Sequence, residues 1–173
     1  PTASPLFPQA VQTVIAARRD CAVAAAKIVV ITDACFLTRP AVAPALELLD
    51  QHNGEIWAKL DAGTEAYFRQ VCRARHSLAH VLANIRAAAQ VRPLVIQSLF
   101  LRLHDQPPPP EEIAAYVERL RELCAAGARL SLVQIYTVAR QTAEPYATRL
   151  SADELAAIAD QVRAIGLRVE CYP

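Results

Sequence analysis

Lys59 and Asp61 stand two residues apart in the run Glu55-Ile56-Trp57-Ala58-Lys59-Leu60-Asp61, so an extended backbone puts both on one face. An ammonium taken out of water needs an opposite charge. Asp61 offers one, and so does Asp33, which ends the run Ile28-Val29-Val30-Ile31-Thr32-Asp33. Two chemistries fit this set. One is a structural ion pair within a sheet. The other is a small-molecule site whose carboxylates accept sugar hydroxyls while the lysine holds a carboxylate. Charged groups in strands serve either purpose, and both readings stand.

Gln97 and Gln134 each occupy the middle of an apolar run, Val95-Ile96-Gln97-Ser98-Leu99 and Leu132-Val133-Gln134-Ile135-Tyr136. A buried amide must be hydrogen-bonded, so the favoured expectation is that the two pair across a sheet, with ligand recognition second. Arg102, His104 and Arg140 follow these runs and could reach an anion above the sheet. Cys72, His76 and His80 recur every four residues, the spacing of metal ligands on one helix. Ser77 reads as a helix cap that breaks such a helix, and nothing supplies a fourth ligand. The four glycines (Gly54, Gly63, Gly127 and Gly166) fall where elements should stop, which excludes a P-loop and a G-x-G-x-x-G turn. No G-x-S-x-G nucleophile elbow is present.

The elements that must position these residues alternate. The chain has 173 residues, 54% of them hydrophobic and 20% charged, with formal net charge +1. That balance excludes whole-chain disorder and gives no field to gather nucleic acid. No apolar run is long enough to span a bilayer, and Pro1 to Pro8 lacks the basic start and apolar core of a signal peptide. The five cysteines (21, 35, 72, 124 and 171) are odd in number with no close pair, which predicts free thiols in a reducing cytoplasm.

Pro8 opens a helix carrying Val11, Val14 and Ile15, which the alanine-rich stretch Cys21 to Ala26 extends. Ile28 to Ile31 reads as a strand buried on both faces, and Ile56 to Leu60 as a second. Between them Pro40 begins a helix with Leu46 and Leu49. Thr64 and Ser77 cap two more helices, the first facing inward through Phe68 and Val71, the second through Leu78, Val81, Leu82 and Ile85. Leu94 to Leu101 and Leu130 to Val138 are strands around a helix buried through Ile113, Tyr116, Val117, Leu120 and Cys124. Ser151 with Glu154 is a capping box before a last helix, and Leu167 to Cys171 is a last strand. This rhythm predicts an α/β fold, a parallel sheet covered by helices in one domain over 1–173, with residues 1–27 a helical segment and 28–173 the strand–helix repeats.

The runs Ile31-Thr32-Asp33-Ala34, Glu55 to Glu65, Ile96 to Leu101 and Val133 to Arg140 carry a family likeness. From about Ile28 to Tyr172 the chain resembles the later two-thirds of radical S-adenosylmethionine domain proteins. The resemblance implies a partial (β/α)6 barrel in which Asp33, Lys59, Asp61, Gln97 and Gln134 occupy cofactor-facing strand positions. Complete members bind a [4Fe-4S] cluster through a CxxxCxxC loop and use S-adenosylmethionine to generate a 5′-deoxyadenosyl radical.

This chain has no CxxxCxxC and no Gly-Gly-Glu strand, and Asp33 stands where the family has asparagine. Neither cluster nor cofactor is therefore expected in the isolated chain. The expectation is a fragment, split half or degenerate descendant that is not catalytic alone. Two alternatives are a cluster-free nucleoside or small-molecule binding module and a protein-interaction scaffold. A barrel begun at its third strand would leave Ile28 to Ile31 as an open edge, a place for self-association or for the missing barrel half.

Overall fold

The computed structural model describes residues 1–173. Helix α1 (Phe7–Asp20) carries Pro8 in its first turn and buries Phe7 and Val11. It stops where Cys21 caps it and Ala22 turns left-handed (φ 56°), so the Cys21–Ala26 stretch does not lengthen it as composition suggested. Strand β1 (Ile28–Thr32), helix α2 (Ala43–Gln51) and strand β2 (Gly54–Lys59) form the first parallel unit. Helices α3 (Glu65–Cys72) and α4 (Leu78–Val91) follow. Thr64 and Ser77 cap them by accepting from Tyr67 N and His80 N, as their positions predicted.

The second half runs β3 (Leu94–Leu99), β4 (Leu101–Leu103), α5 (Pro110–Ala125), β5 (Leu130–Tyr136), β6 (Ala147–Arg149), α6 (Ala152–Arg163) and β7 (Val169–Tyr172). Ser151 and Glu154 close both bonds of the capping box on α6. The expected strand Leu94–Leu101 is two strands. After Leu99 the chain leaves the sheet, and β4 pairs antiparallel with β6, which sequence reading missed. Strand β5 likewise ends at Tyr136, because the Thr137 hydroxyl turns to accept from Leu150 N at 3.0 Å. On α5 the inward position is Leu123, not Cys124, which is exposed.

The five parallel strands lie in the order β1-β2-β3-β5-β7. Each crossover thus steps the same way, and right-handed crossovers place all the connecting helices on one face. The core follows that face: Ile28, Val30, Ile56, Ile96, Val133 and Ile135 are buried beneath the helices. The other face is open. Ile28 to Ile31 is therefore not buried on both faces, since Val29 and Ile31 keep 37% and 47% of their surface exposed. The expectation that this strand is buried on both faces came from its apolar run, and one-way strand order is what overturns it. At the sheet's edge, β1 bonds only to β2.

A buried carboxylate ties the loop after β2 to α5. Glu112 is only 2% exposed. Its Oε1 accepts from the Gly63 and Thr64 amides, and its Oε2 from the Thr64 hydroxyl at 2.6 Å. Three donors satisfy the charge.

Candidate functional site

Parallel register lines up the polar strand residues. Lys59 lies beside Gln97, Gln97 beside Gln134, and Gln134 beside Glu170, so the four form one row across four strands on the open face. Gln97 Nε2 donates to Gln134 Oε1 at 3.3 Å, the cross-sheet amide pair that the sequence favoured. Two residues further along, Tyr136 and Tyr172 stand beside one another on the same face.

Lys59 binds Asp61 at 3.2 Å and donates to the Tyr136 hydroxyl at 2.6 Å. Asp61 also accepts from Leu99 N at 2.8 Å, so its carboxylate is shared between a charge and a backbone donor. Of the two partners the sequence allowed, Asp61 is the one Lys59 takes. Burial works against the ammonium, but Asp61 and Tyr136 outweigh it and hold the Lys59 pKa above the ordinary lysine value. Burial likewise pushes the Asp61 carboxyl upward, against the pull of Lys59 and the Leu99 amide. Tyr136 escaped sequence reading. Its one signal is its place two residues after Gln134, on the same side of the strand.

Asp33 sits beyond the end of β1 in a pinned turn. Its Oδ1 accepts from Cys35 N at 3.0 Å, Ala34 is left-handed (φ 62°), and Thr32 Oγ1 accepts from Ala34 N at 3.2 Å. The Thr32 hydroxyl is itself anchored to that of Thr2 at 3.1 Å, so the N-terminal segment buttresses the turn. Asp33, Lys59 and Asp61 line one cavity of about 570 Å³ at the carboxyl ends of β1, β2 and β3, walled by Phe36, Phe68 and Leu99. Ligands of open parallel sheets bind at such strand ends, and the volume suits a small molecule.

Of the remaining candidates, Cys72 and His76 reach this cavity, and Arg102, His104 and Arg140 do not. Arg102 pairs with Glu154 on α6, and His104 stacks on Tyr146 with centroids 4.6 Å apart. Arg140 lies in the loop after β5. His76 does line the cavity and stacks on His80 at 4.7 Å, but His80 Nε2 is engaged with the Cys35 carbonyl at 2.9 Å. Ser77 breaks the helix between Cys72 and His80, as expected.

The thiols do not make a metal-binding set. Cys21 and Cys124 are exposed on separate helix ends, Cys35 follows β1, Cys72 ends α3 and Cys171 lies in β7. No three His, Cys, Asp or Glu side chains converge. Burial foremost, with Asp33 beside it, pushes the Cys35 thiol up to about 11, and burial foremost pushes Cys72 up to about 12. Both are protonated thiols at neutral pH. The chain's own residues do not fit a [4Fe-4S] cluster.

No protein-family model and no curated protein matches the chain. Solved structures do. A domain of pyruvate-formate lyase-activating enzyme from Bacteroides vulgatus superposes with TM-score 0.65 at 11% identity, covering 95% of this chain and 92% of that one. A radical SAM methyltransferase from Sphaerobacter thermophilus superposes with TM-score 0.61 at 14% identity over 84% of this chain, which spans 40% of the methyltransferase. The fold is the α/β partial barrel that these two structures share. No helix is long and apolar enough to cross a membrane.

Proposed function

We propose that this chain is the later part of a radical S-adenosylmethionine domain, holding the nucleoside end of its ligand above the strand ends and doing no radical chemistry by itself. The observation that carries the reading is the in-register row Lys59–Gln97–Gln134, with Asp61 and Asp33 at the adjoining cavity. These are the positions that bear the sequence resemblance. The Asp33 and Asp61 carboxylates accept ribose hydroxyls. Lys59, fixed between Asp61 and Tyr136, presents its charge to a carboxylate, and Phe36 and Phe68 give the base an apolar wall. In a complete domain S-adenosylmethionine supplies the 5′-deoxyadenosyl group; here the residues only bind and orient.

Calorimetric titration with S-adenosylmethionine and, separately, S-adenosylhomocysteine tests the site. Saturable binding of either, weakened about tenfold or more in Asp33→Ala, is expected, because a charge-assisted hydrogen bond is worth at least that factor. No heat with either ligand at millimolar concentration would remove the nucleoside assignment. In the same preparation, anaerobic reconstitution with iron and sulfide should leave no stoichiometric cluster. A cluster whose absorbance vanished on replacing any single cysteine would overturn the assignment of the chemistry to residues outside this chain.

A second reading concerns partners and rests on the unpaired outer edge of β1. Val29 and Ile31 are exposed there, beside a groove of about 550 Å³ that α1 walls with Val14 and Cys21. No lysine, proline or bulge within β1 protects it. A further strand, from the rest of a barrel or from a second copy, adds to this edge. Light scattering after size exclusion should show association that grows with concentration and is abolished by Ile31→Lys, which places a charge on the edge. A chain monomeric at every concentration, or one whose association Ile31→Lys leaves intact, would count against it.

A further inference from the structure

Arg140 and Arg149 line a second cavity, of about 370 Å³, formed by the loop after β5 and by β6. No acidic residue lines it. Two acids of neighbouring segments are already committed: Glu144 pairs with Arg73 at 3.0 Å, and Glu154 with Arg102. Two exposed arginines, neither of them in an ion pair, thus line one cavity with no counter-charge among its walls. Exposed arginines are ordinary when each stands alone in solvent; two at one concave, acid-free site give an anion two cations within one cavity.

The scaffold beneath them is braced. Thr137 Oγ1 accepts from Leu150 N at 3.0 Å, and the Thr142 hydroxyl lies 2.6 Å from the carbonyls of both Glu144 and Ala147, closing the loop that carries Arg140. Arg149 is held in register opposite Leu101 by the β4–β6 ladder. The cavity stands past the carboxyl end of β5, whereas the Asp33–Lys59 cavity lies at the ends of β1, β2 and β3.

We propose that this cavity binds a phosphoryl group borne by a small molecule. Two guanidinium forks match the charge and the several acceptor oxygens of a phosphate dianion, whereas a lone carboxylate would satisfy one of them. With only two cations and a chain net charge of +1, the site suits a single phosphoryl group rather than a nucleic-acid backbone. The assignment is independent of the nucleoside reading, since no wall residue is shared between the two cavities.

The test is NMR titration of the arginine Nε–H signals of the intact chain with inorganic phosphate at low ionic strength, where screening is weakest. The expected result is saturable shifts at Arg140 and Arg149, with apparent affinity falling about tenfold in Arg140→Gln and in Arg149→Gln. Arg121→Gln, on the far surface of α5, should leave the affinity unchanged. Sodium chloride matched for ionic strength should not reproduce the shifts. Equal, non-saturating shifts across all exposed arginines, an unchanged affinity in both variants, or an equal response to chloride would each overturn the proposal. Loss of S-adenosylmethionine binding in Asp33→Ala with phosphate binding intact would confirm that the two sites are separate.

Discussion

Gly63→Ala should cost at least about 3 kcal/mol, the upper range for overpacking a core, and lower the melting temperature by roughly 6–12 °C. An added Cβ would stand 2.0 Å from Tyr116 N and 2.5 Å from Ala115 C, and both are backbone atoms in the middle of α5 that no rotamer change can move. The loop after β2 would have to lift off the helix, and Glu112 would lose its bond to the Gly63 amide. Gly166→Ala is the natural comparison. Gly166 needs its left-handed φ of 87° but has nothing within 4 Å of an added Cβ. Only backbone strain applies there, about 1–2 kcal/mol. Paired thermal melts decide the matter: a Gly63→Ala protein no less stable than Gly166→Ala would show that the contact with α5 is not tight.

Lys59→Ala should destabilise the fold by about 3–5 kcal/mol at neutral pH, because it leaves the Asp61 carboxylate nearly buried with only the Leu99 amide to hold it. The Asp61 side chain retains 12% of its exposure against 28% for Lys59, so the stranded partner is the more costly one. The deficit should depend on pH with a definite sign. Burial already raises the Asp61 pKa in the folded chain, and Lys59 opposes that rise. A carboxyl whose folded pKa lies above its unfolded value loses stability as pH rises from the unfolded to the folded pKa. Removing Lys59 lifts the folded value further and widens that window. The gap between variant and wild type should therefore narrow on acidification toward the unfolded carboxyl pKa. Denaturant titrations at acidic and neutral pH read it directly; a gap that stayed constant or widened in acid would show that Asp61 is not the group left exposed to the loss.

Much of the architecture was legible because it is written in short-range chemistry. The Thr64, Ser77 and Ser151 caps, the Ser151–Glu154 box and the strand–helix rhythm depend on residues three or four apart, and each is found where the sequence places it. The Gln97–Gln134 pair was legible for another reason: a lone amide in an apolar strand demands a partner, and another strand offered the same group. Lys59 and Asp61 declared themselves by sharing a face at a spacing of two.

Pairings that span the chain were not legible. Glu112 lies 49 residues from Gly63, and Tyr136 lies 77 residues from Lys59, so no local pattern links either pair. The β4–β6 ladder joins segments too short to carry a period of their own. Above all, an apolar run such as Ile28 to Ile31 records that side chains avoid water without recording which faces are covered. The sequence by itself determined the element types, the capping and the identity of the polar strand residues, because these follow from backbone propensity and the intolerance of buried unpaired groups. Only the tertiary structure decided that all the connecting helices fall on one face, that Lys59, Gln97, Gln134 and Glu170 form a single row on the other, and that Arg102 leaves that face for Glu154 while Arg140 and Arg149 meet at a second cavity. Strand order and register set those outcomes, and both are global properties fixed by how the strands and helices pack together.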